Sequence, residues 1–236
     1  VPAEVCILTG IAYVMLVPDD RHRTATRKNI AEVVLSQRAA LIMFGLYVVV
    51  SLASGLTFNT VSIALPKIVD ERLGTGVPLL AVGGLATAVF MCGAVGQIVV
   101  GRLVEWIKPY QLFAVIVALQ FLGILWAANS SGMMLILALA VTMVAIYGQV
   151  TVGDLVIARY TADAWRGRVY AVRYFLTFVS AGAAVSIIAW LYSRGGFDLL
   201  LMAVAGIAAV FLVGVLGIVL LVSGVERARR VAQPAE

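Results

Sequence analysis

Residues 199–222 read LLLMAVAGIAAVFLVGVLGIVLLV, a run of 24 residues that contains no polar side chain. A helix needs about 20 residues to cross the roughly 30 Å hydrocarbon core of a bilayer. A soluble domain in a chain of 236 residues has no need for an apolar segment of that length. The run therefore predicts a transmembrane helix, and it indicates lipid rather than water as the main solvent of the fold.

Five similar runs precede this one and fill most of the chain. The composition agrees with them, because a mean hydropathy of +1.06 and a charged fraction of 12% lie far from the averages of soluble domains. Backbone groups in lipid need hydrogen-bond partners within their own segment, so the runs are expected to be helices. We therefore predict an all-α membrane protein with six transmembrane helices, numbered one to six, at residues 39–66, 77–100, 110–128, 133–157, 169–192 and 199–222.

The remaining residues organise the chain around these helices. An apolar run at residues 5–17 is too short to span comfortably and lacks the basic lead-in of a secretory signal. We therefore interpret residues 1–18 as the end of a truncated transmembrane helix. Residues 19–38 are interpreted as a basic cytoplasmic linker, residues 39–223 as the six-helix transmembrane domain and residues 224–236 as a cytoplasmic tail.

The 17 Lys and Arg residues fall mostly on one side of the predicted helices, with 14 on that side and three on the other. Short loops rich in Lys and Arg stay in the cytoplasm. We therefore expect a multi-pass integral protein of the plasma (inner) membrane, with a cytoplasmic tail and cytoplasmic loops at 19–38, 101–109 and 158–168. Because the charge follows the loops, the net charge of +5 does not indicate a nucleic-acid partner.

Polar and small residues follow an order that repeats after three helices. Helices one and four carry the most polar side chains, helices two and five carry small residues, and helices three and six are the most apolar. Three helices place the second set in the opposite orientation, so the order fits two inverted three-helix repeats. A bundle with some inner and some outer helices is the alternative explanation. In helix two the small residues recur at every fourth position, as Gly84, Ala88, Cys92 and Gly96.

Asp154 is the only acidic residue inside the six predicted helices, and it lies three residues before the inner boundary of helix four. An ionisable group at membrane depth indicates a functional role by default. We expect a salt-bridge gate with Arg102, Arg166 or Arg173 as the partner; proton coupling and plain interfacial solvation are the alternatives. Arg173 itself lies near the start of helix five, where we expect it to snorkel to the inner surface rather than to contact substrate.

Five polar side chains lie in the helices as candidates for lining a substrate cavity, since transporter sites usually lie near the middle of the bilayer. Two of them precede Pro66, where we expect a gating bend. Hydrogen bonding between helices without a ligand is the alternative role for each. The predicted substrate-binding residues are Asn59, Thr60, Tyr147, Gln149 and Ser180.

Two of the predicted cytoplasmic connections resemble those of the major facilitator superfamily. Residues 101–108 read GRLVEWIK and resemble the superfamily's loop signature, with Glu105 at its Asp position and Trp106 where a basic residue is usual. Residues 165–168 read WRGR and resemble the connection between the tenth and eleventh helices. The resemblance implies that helices one to six correspond to the family's seventh to twelfth, and that the partial helix is the end of the sixth.

The resemblance also implies a function and a set of gating residues. It implies a secondary active transporter that moves a small solute by alternating access, with proton-coupled antiport and efflux of a neutral or amphipathic drug or metabolite as the expected form. The expected partners are membrane lipid, the solute and an N-terminal half of the same transporter. The implied gating and charge network comprises Gly101, Arg102, Glu105, Asp154, Arg166, Arg168 and Arg173, in which Gly101 permits close helix contact and Glu105 meets a cation.

Enzymatic classes of function find no support in the sequence. It carries no nucleophile and base set, no Walker loop and no HExxH motif, so we expect no enzyme, no cofactor, no metal and no ATP-driven mechanism. Cys6 and Cys92 lie in apolar runs and do not form a disulfide framework, and His22 is expected to be solvated. The alternative function is a non-transporting membrane scaffold or dimerising partner subunit, with the small residues of helix two as its seam.

Overall fold

The computed structural model describes residues 2–16, 37–73 and 78–232. These residues form helices and contain no strand, which confirms the predicted all-α class. Most of the predicted linker, up to residue 36, and the last four residues of the tail lie outside the described part. The helices are α1 Pro2–Leu16, α2 Gln37–Arg72, α3 Leu79–Leu103, α4 Pro109–Ala128, α5 Gly132–Tyr160 and α6 Asp163–Ala232.

The first helix, α1, belongs to a separate compact unit and is described by itself. It has 15 residues. That length is short of the roughly 20 residues that a bilayer requires. Five helices of the described chain, α2 to α6, are long and apolar enough to cross a membrane, so the chain is a multi-pass membrane protein.

The longest helix, α6, has 70 residues but is interrupted at two glycines. Gly195 has a φ of −163°, and Gly196 combines a φ of 61° with a ψ of −156°. Only glycine adopts the second conformation readily, because a Cβ atom would clash with the backbone there. We name the segments on either side of this break α6a (163–194) and α6b (197–232). The break falls within the connection that the sequence predicts between helices five and six.

Segment α6a runs parallel to α2. Near the end of α2, Glu71 accepts a hydrogen bond from the Tyr192 hydroxyl. Further back along α2, the Leu52 carbonyl accepts a hydrogen bond from Ser180 Oγ at 3.5 Å. The residue numbers at these contacts therefore increase in the same direction along the two helices, as in a parallel pair.

Segment α6b runs in the opposite direction along the same helix. Arg72 forms an ion pair with Asp198 at the start of α6b. Deeper in the bundle, Val50 lies against Gly214, where an added Cβ would stand 2.8 Å from Val50 Cγ2. At these contacts the residue numbers of α2 decrease while those of α6b increase, so the two helices are antiparallel. The chain therefore reverses its direction at the glycine break.

The bundle consists of two packed groups, which meet where α4 packs on α6. One group contains α3, α4 and α5, and the other contains α2 and the two segments of α6. Helix α5 packs on α3 and α4, α2 packs on both segments of α6, and α4 packs on α6 as well. We call the end with the α6 reversal the hairpin end, and the opposite end, where α3 connects to α4 and α5 to α6a, the basic end. Each end of the bundle contains its own buried apolar cluster.

The close contact of α3 with α5 uses a different face of α3 from the predicted one. Gly84, Ala88 and Cys92 are exposed, and only Gly96 of the predicted stripe is buried. An added Cβ on Gly93 would stand 2.8 Å from Tyr147, and one on Gly96 would stand 2.7 Å from Val144. The described bundle therefore uses only the Gly96 end of the predicted stripe, because small residues occur on more than one face of α3.

Helix α2 continues past the predicted boundary at Pro66 to Arg72 without a break. A helix tolerates an internal proline when other groups satisfy the freed backbone. Asn59 does not interrupt the helix either, because its Nδ2 donates to the Gly55 carbonyl of the preceding turn at 2.8 Å. Helix α2 is therefore continuous through Asn59 and Pro66, and the gating bend expected at Pro66 stays a prediction.

Candidate functional site

A cleft of about 160 Å³ lies in the basic half of the bundle, between α2, α4, α5 and α6a. Its lining combines polar and aromatic side chains, which is unusual inside so apolar a bundle. The polar part comprises Ser51, Ser54, Gln149, Arg173 and Thr177, and the aromatic part comprises Tyr47, Phe58, Phe113 and Tyr174.

Arg173 and Asp154 form an ion pair between α6a and α5 at this cleft. Arg173 Nη1 lies 3.2 Å from Asp154 Oδ1, and the Arg173 side chain is only 13% exposed. Its Nη2 also donates to the Val150 carbonyl at 3.3 Å. Of the three candidate partners of Asp154, the structure therefore selects Arg173.

The snorkelling expected for Arg173 is wrong. The guanidinium reaches across to α5, where it lies beside the Asp154 carboxylate and donates to the Val150 carbonyl. Gly153 provides the space, since an added Cβ there would lie 2.9 Å from Arg173 Nη1. An ionic partner and a carbonyl acceptor on a neighbouring helix replace the water that snorkelling would have reached.

Two tyrosines fix the α5 backbone beside the ion pair. The Tyr170 hydroxyl on α6a donates to the Asp154 carbonyl at 2.7 Å. The Tyr47 hydroxyl on α2 donates to the Val156 carbonyl at 3.4 Å. Side chains from both flanking helices thus hold the same turn of α5.

Gln149 lies about one turn deeper than the ion pair, on the cleft side of α5. Its Oε1 accepts a hydrogen bond from Ser54 Oγ at 2.9 Å. The side chain is 1% exposed, and Nε2 has no hydrogen-bond partner among the described residues. A buried donor without a partner costs roughly 1–3 kcal/mol, so this amide marks a place where a ligand or a water is expected.

The other predicted substrate-binding residues do not line the cleft. Asn59 bonds within its own helix, as described above, and Thr60 is buried without a partner for its hydroxyl among the described residues. Tyr147 packs against Phe58, with ring centroids 5.8 Å apart. Ser180 Oγ donates to the Leu176 carbonyl at 2.7 Å. Two of these four side chains therefore bond within their own helix, and Tyr147 packs against a ring of a neighbouring helix.

Two members of the predicted charge network, Arg166 and Arg168, make local contacts at the start of α6a. Arg166 Nη2 lies 2.6 Å from Asp163 Oδ1 in an i,i+3 pair and donates to the Thr161 carbonyl at 3.3 Å. The Arg168 guanidinium lies over the Trp165 ring at 4.7 Å from its centroid. Neither contact joins one helix of the bundle to another.

The remaining members lie near the α3–α4 connection and are not brought to Asp154. Arg102 and Glu105 are exposed, and no ion pair joins Glu105 to a cation within the described residues. An added Cβ on Gly101 would meet no described atom within 4 Å, so the close helix contact expected there is absent. The turn that closes the α3–α4 connection leaves these positions facing outward.

A neighbouring pair, missed by the sequence reasoning, joins this connection to α6b. Lys108 Nζ lies 2.5 Å from Glu226 Oε2, and the Tyr110 hydroxyl donates to the same oxygen at 3.1 Å. The hydrogen bond to Glu226, followed by that to Tyr110, raises the pKa of Lys108. The residues lie 118 positions apart, so local sequence gives no signal of their meeting.

At the hairpin end, a second arginine was also missed as a structural residue. Arg72 Nη1 donates to the carbonyls of Ala127, Ala128 and Ser130 at 3.2, 3.4 and 3.4 Å. Its other nitrogen bonds Asp198. One guanidinium thus connects the ends of α2 and α4 with the start of α6b.

The comparisons with known proteins leave the family open. Neither the protein-family models nor the curated proteins gave a match to this chain. The resemblance to the major facilitator superfamily therefore rests on the residues of the two connections and enters the functional argument as a proposal.

Proposed function

We propose that this chain is a six-helix half of a secondary active transporter, of the major facilitator type, that moves a small solute by alternating access. The observation that carries the proposal is the Arg173–Asp154 ion pair at the wall of a polar and aromatic cleft. Charges at membrane depth are costly, and they are typical of substrate and ion pathways.

The packing of the helices supports the two inverted repeats that this family would require. If α2, α3 and α4 correspond to α5, α6a and α6b, the second set runs in the opposite sense to the first. The pair α3 with α5 then matches the pair α6a with α2, and both pairs are parallel. The pair α4 with α5 matches α6b with α2, and both are antiparallel. The contacts α2–α5 and α4–α6 lie on the symmetry axis of this arrangement.

Alternating access gives the ion pair a role as a gate. Arg173 lies on α6a and Asp154 on α5, so any movement that separates these helices breaks the pair and widens the cleft between them. Separation of the two charges costs free energy, and water or a solute that enters the widened cleft offsets this cost by solvating them. In this proposal the basic end lies on the cytoplasmic side of the plasma membrane, as the charge distribution predicts. The six helices then rock against an N-terminal half of the transporter.

Reconstitution of the parent polypeptide into liposomes tests the proposal. The experiment measures uptake of a panel of neutral, anionic and cationic solutes with and without an imposed pH gradient. We expect gradient-dependent flux of at least one solute, and loss of that flux in Asp154→Asn and Arg173→Gln. Arg194→Gln is the matched control, because Arg194 lies over Trp190 at the hairpin end, away from the cleft. Absence of flux for every solute would contradict the transport proposal.

A second candidate function, a dimerising membrane partner, is favoured by one observation. Gly84, Ala88 and Cys92 are exposed on α3, so their stripe is not used within the described bundle. Small residues on a lipid-facing helix allow another helix to approach closely. Oxidative cross-linking of Ala88→Cys in membranes tests it: a disulfide dimer supports this function, and a cross-link to an N-terminal half supports the transporter.

A further inference from the structure

Two side chains of the cleft wall carry hydrogen-bond donors that the described residues leave unused. Gln149 Oε1 is already occupied by Ser54, whereas its Nε2 is buried and unpaired within the described chain. Arg173 carries five N–H groups, and its contacts to Asp154 and Val150 engage only some of them. A ligand with acceptor oxygens would satisfy these two donor groups.

The charge exposed to the cleft is positive. Arg173 is part of the cleft lining, whereas its partner Asp154 is not. Arg173 is therefore the charged side chain of the cleft lining, and the Asp154 carboxylate pairs with it from outside the lining. An anionic group in the cleft would compete with Asp154 for Arg173.

The other walls are apolar. Phe58, Phe113 and Tyr174 lie around the cleft together with aliphatic residues. A volume of about 160 Å³ is close to the roughly 150 Å³ of a protein cavity that holds benzene, so it suits one ring and one small polar group. The walls thus favour a ligand with an aromatic or alkyl body.

We infer that the cleft binds a small amphipathic monoanion, with its carboxylate between Arg173 and Gln149 and its apolar body against the aromatic walls. The inference rests on the proposed function, because it names the substrate class of the same site. It also gives a physical link between binding and gating: a carboxylate that takes hydrogen bonds from Arg173 weakens the pair with Asp154. The solute then releases the contact between α5 and α6a that holds the cleft closed.

Three ring compounds of similar size test the inference: benzoate, neutral benzamide and cationic benzylammonium. Their binding to the purified full chain is measured by equilibrium dialysis without any gradient. We expect benzoate to bind tightest and benzylammonium weakest. Gln149→Glu replaces the donor by a charged acceptor, so we expect it to weaken benzoate binding about tenfold or more. Gln111→Glu is the matched control, because it adds the same charge at an exposed position outside the cleft.

Asp154→Asn provides a test whose outcome cannot arise from misfolding. It removes the competitor of the ligand carboxylate, so we expect benzoate to bind several-fold tighter while gated transport is lost. Equal binding of the three compounds, or a Gln149→Glu effect no larger than that of Gln111→Glu, would overturn the inference. Transport of another solute without benzoate binding would contradict the inference alone. Benzoate binding without any transport would contradict the proposed function alone.

Discussion

The hairpin end and the basic end of the bundle are held together by different kinds of contact. At the hairpin end, Arg72 bonds three backbone carbonyls near the end of α4, as well as Asp198. At the basic end, Arg173 pairs with Asp154 and Lys108 with Glu226, and the carbonyls that Tyr170, Tyr47 and Arg173 reach lie within α5 rather than at a helix terminus. Paired side chains can exchange partners more readily than a guanidinium that binds several carbonyls at once. The cleft therefore lies at the end where charged side chains pair with each other across helices.

Removal of Arg72 is expected to have the largest effect on stability. The side chain is only 14% exposed and supplies its contacts with charged donors, each worth roughly 1.5–3 kcal/mol. We expect Arg72→Leu to lower the free energy of unfolding by about 3 kcal/mol, as thermal unfolding in detergent would measure. Arg72→Lys should retain only part of this stability, because the single nitrogen of an ammonium cannot donate to the carbonyls and to the carboxylate at the same time as the planar guanidinium does.

Arg194→Leu is the matched control for Arg72. Arg194 lies at the same end, over the Trp190 ring at 3.9 Å from its centroid, and a cation–π contact at an exposed site is worth about 0.5–1 kcal/mol. Equal losses in the two variants would mean that the hairpin end is not specifically fixed by backbone acceptors.

The second prediction concerns the reversal of α6 at the hairpin end. Gly196 has a backbone conformation that costs a residue with a Cβ about 1–3 kcal/mol. We expect Gly196→Ala to lower the free energy of unfolding by this amount. Gly206→Ala, at a helical position with open space around it, should be neutral or slightly stabilising. If the two alanines behave alike, the glycine break does not determine the reversal.

The sequence predicted the elements of this fold better than their contacts. The run at 199–222 and the gap before it located α6b and its break, because a membrane-spanning helix is recognised from the length and apolar composition of a single segment. Asp154 could be selected as an isolated acid, but its partner among three arginines depended on the space left by Gly153. Charge counting placed Arg72 outside the membrane without indicating its carbonyl partners.

The direction in which a side chain leaves the helix decided which of the predicted residues on α5 reached the cleft. Tyr147 and Gln149 are only two residues apart on α5, and that spacing turns them to different faces of a helix. Depth in the membrane therefore identified both, but only packing shows that Gln149 faces the cleft and Tyr147 faces Phe58. The exposed Gly84 and the buried Gly96 on α3 differ because a four-residue repeat drifts about 40° around a helix at each step, or about 120° over three steps.

A double-mutant cycle on Lys108 and Glu226 tests the exchangeable character of the basic end. Lys108 is 44% exposed and Glu226 23% exposed, so screening by water limits their coupling to about 1 kcal/mol or less. We expect Lys108→Gln, Glu226→Gln and the double variant to give this coupling in detergent, and added salt to reduce it. A coupling of several kcal/mol would contradict this prediction, because the basic end would then be held as strongly as the hairpin end is by Arg72.

The pH dependence of this coupling has a definite sign. The hydrogen bond to Glu226 raises the pKa of Lys108 in the folded state. The contribution of the charged lysine is therefore complete below its ordinary pKa of about 10.4 and is lost as pH rises through the higher folded value. We expect the same coupling at pH 7 and pH 9, and a decrease only above that range.

The smallest expected effect on stability comes from Gly153→Ala, which addresses the gate directly. The added Cβ would stand 2.9 Å from Arg173 Nη1 and 3.1 Å from Nη2, the far end of a flexible side chain. The guanidinium can therefore move away, and a Gly→Ala change in a helix contributes up to about 1 kcal/mol of stability in return. We expect the free energy of unfolding to change by less than about 1 kcal/mol while solute flux falls several-fold, because the displaced Arg173 no longer reaches Asp154. Unchanged flux at unchanged stability would show that transport does not depend on the geometry of this pair, and a large loss of stability would show that the basic end is as rigid as the hairpin end.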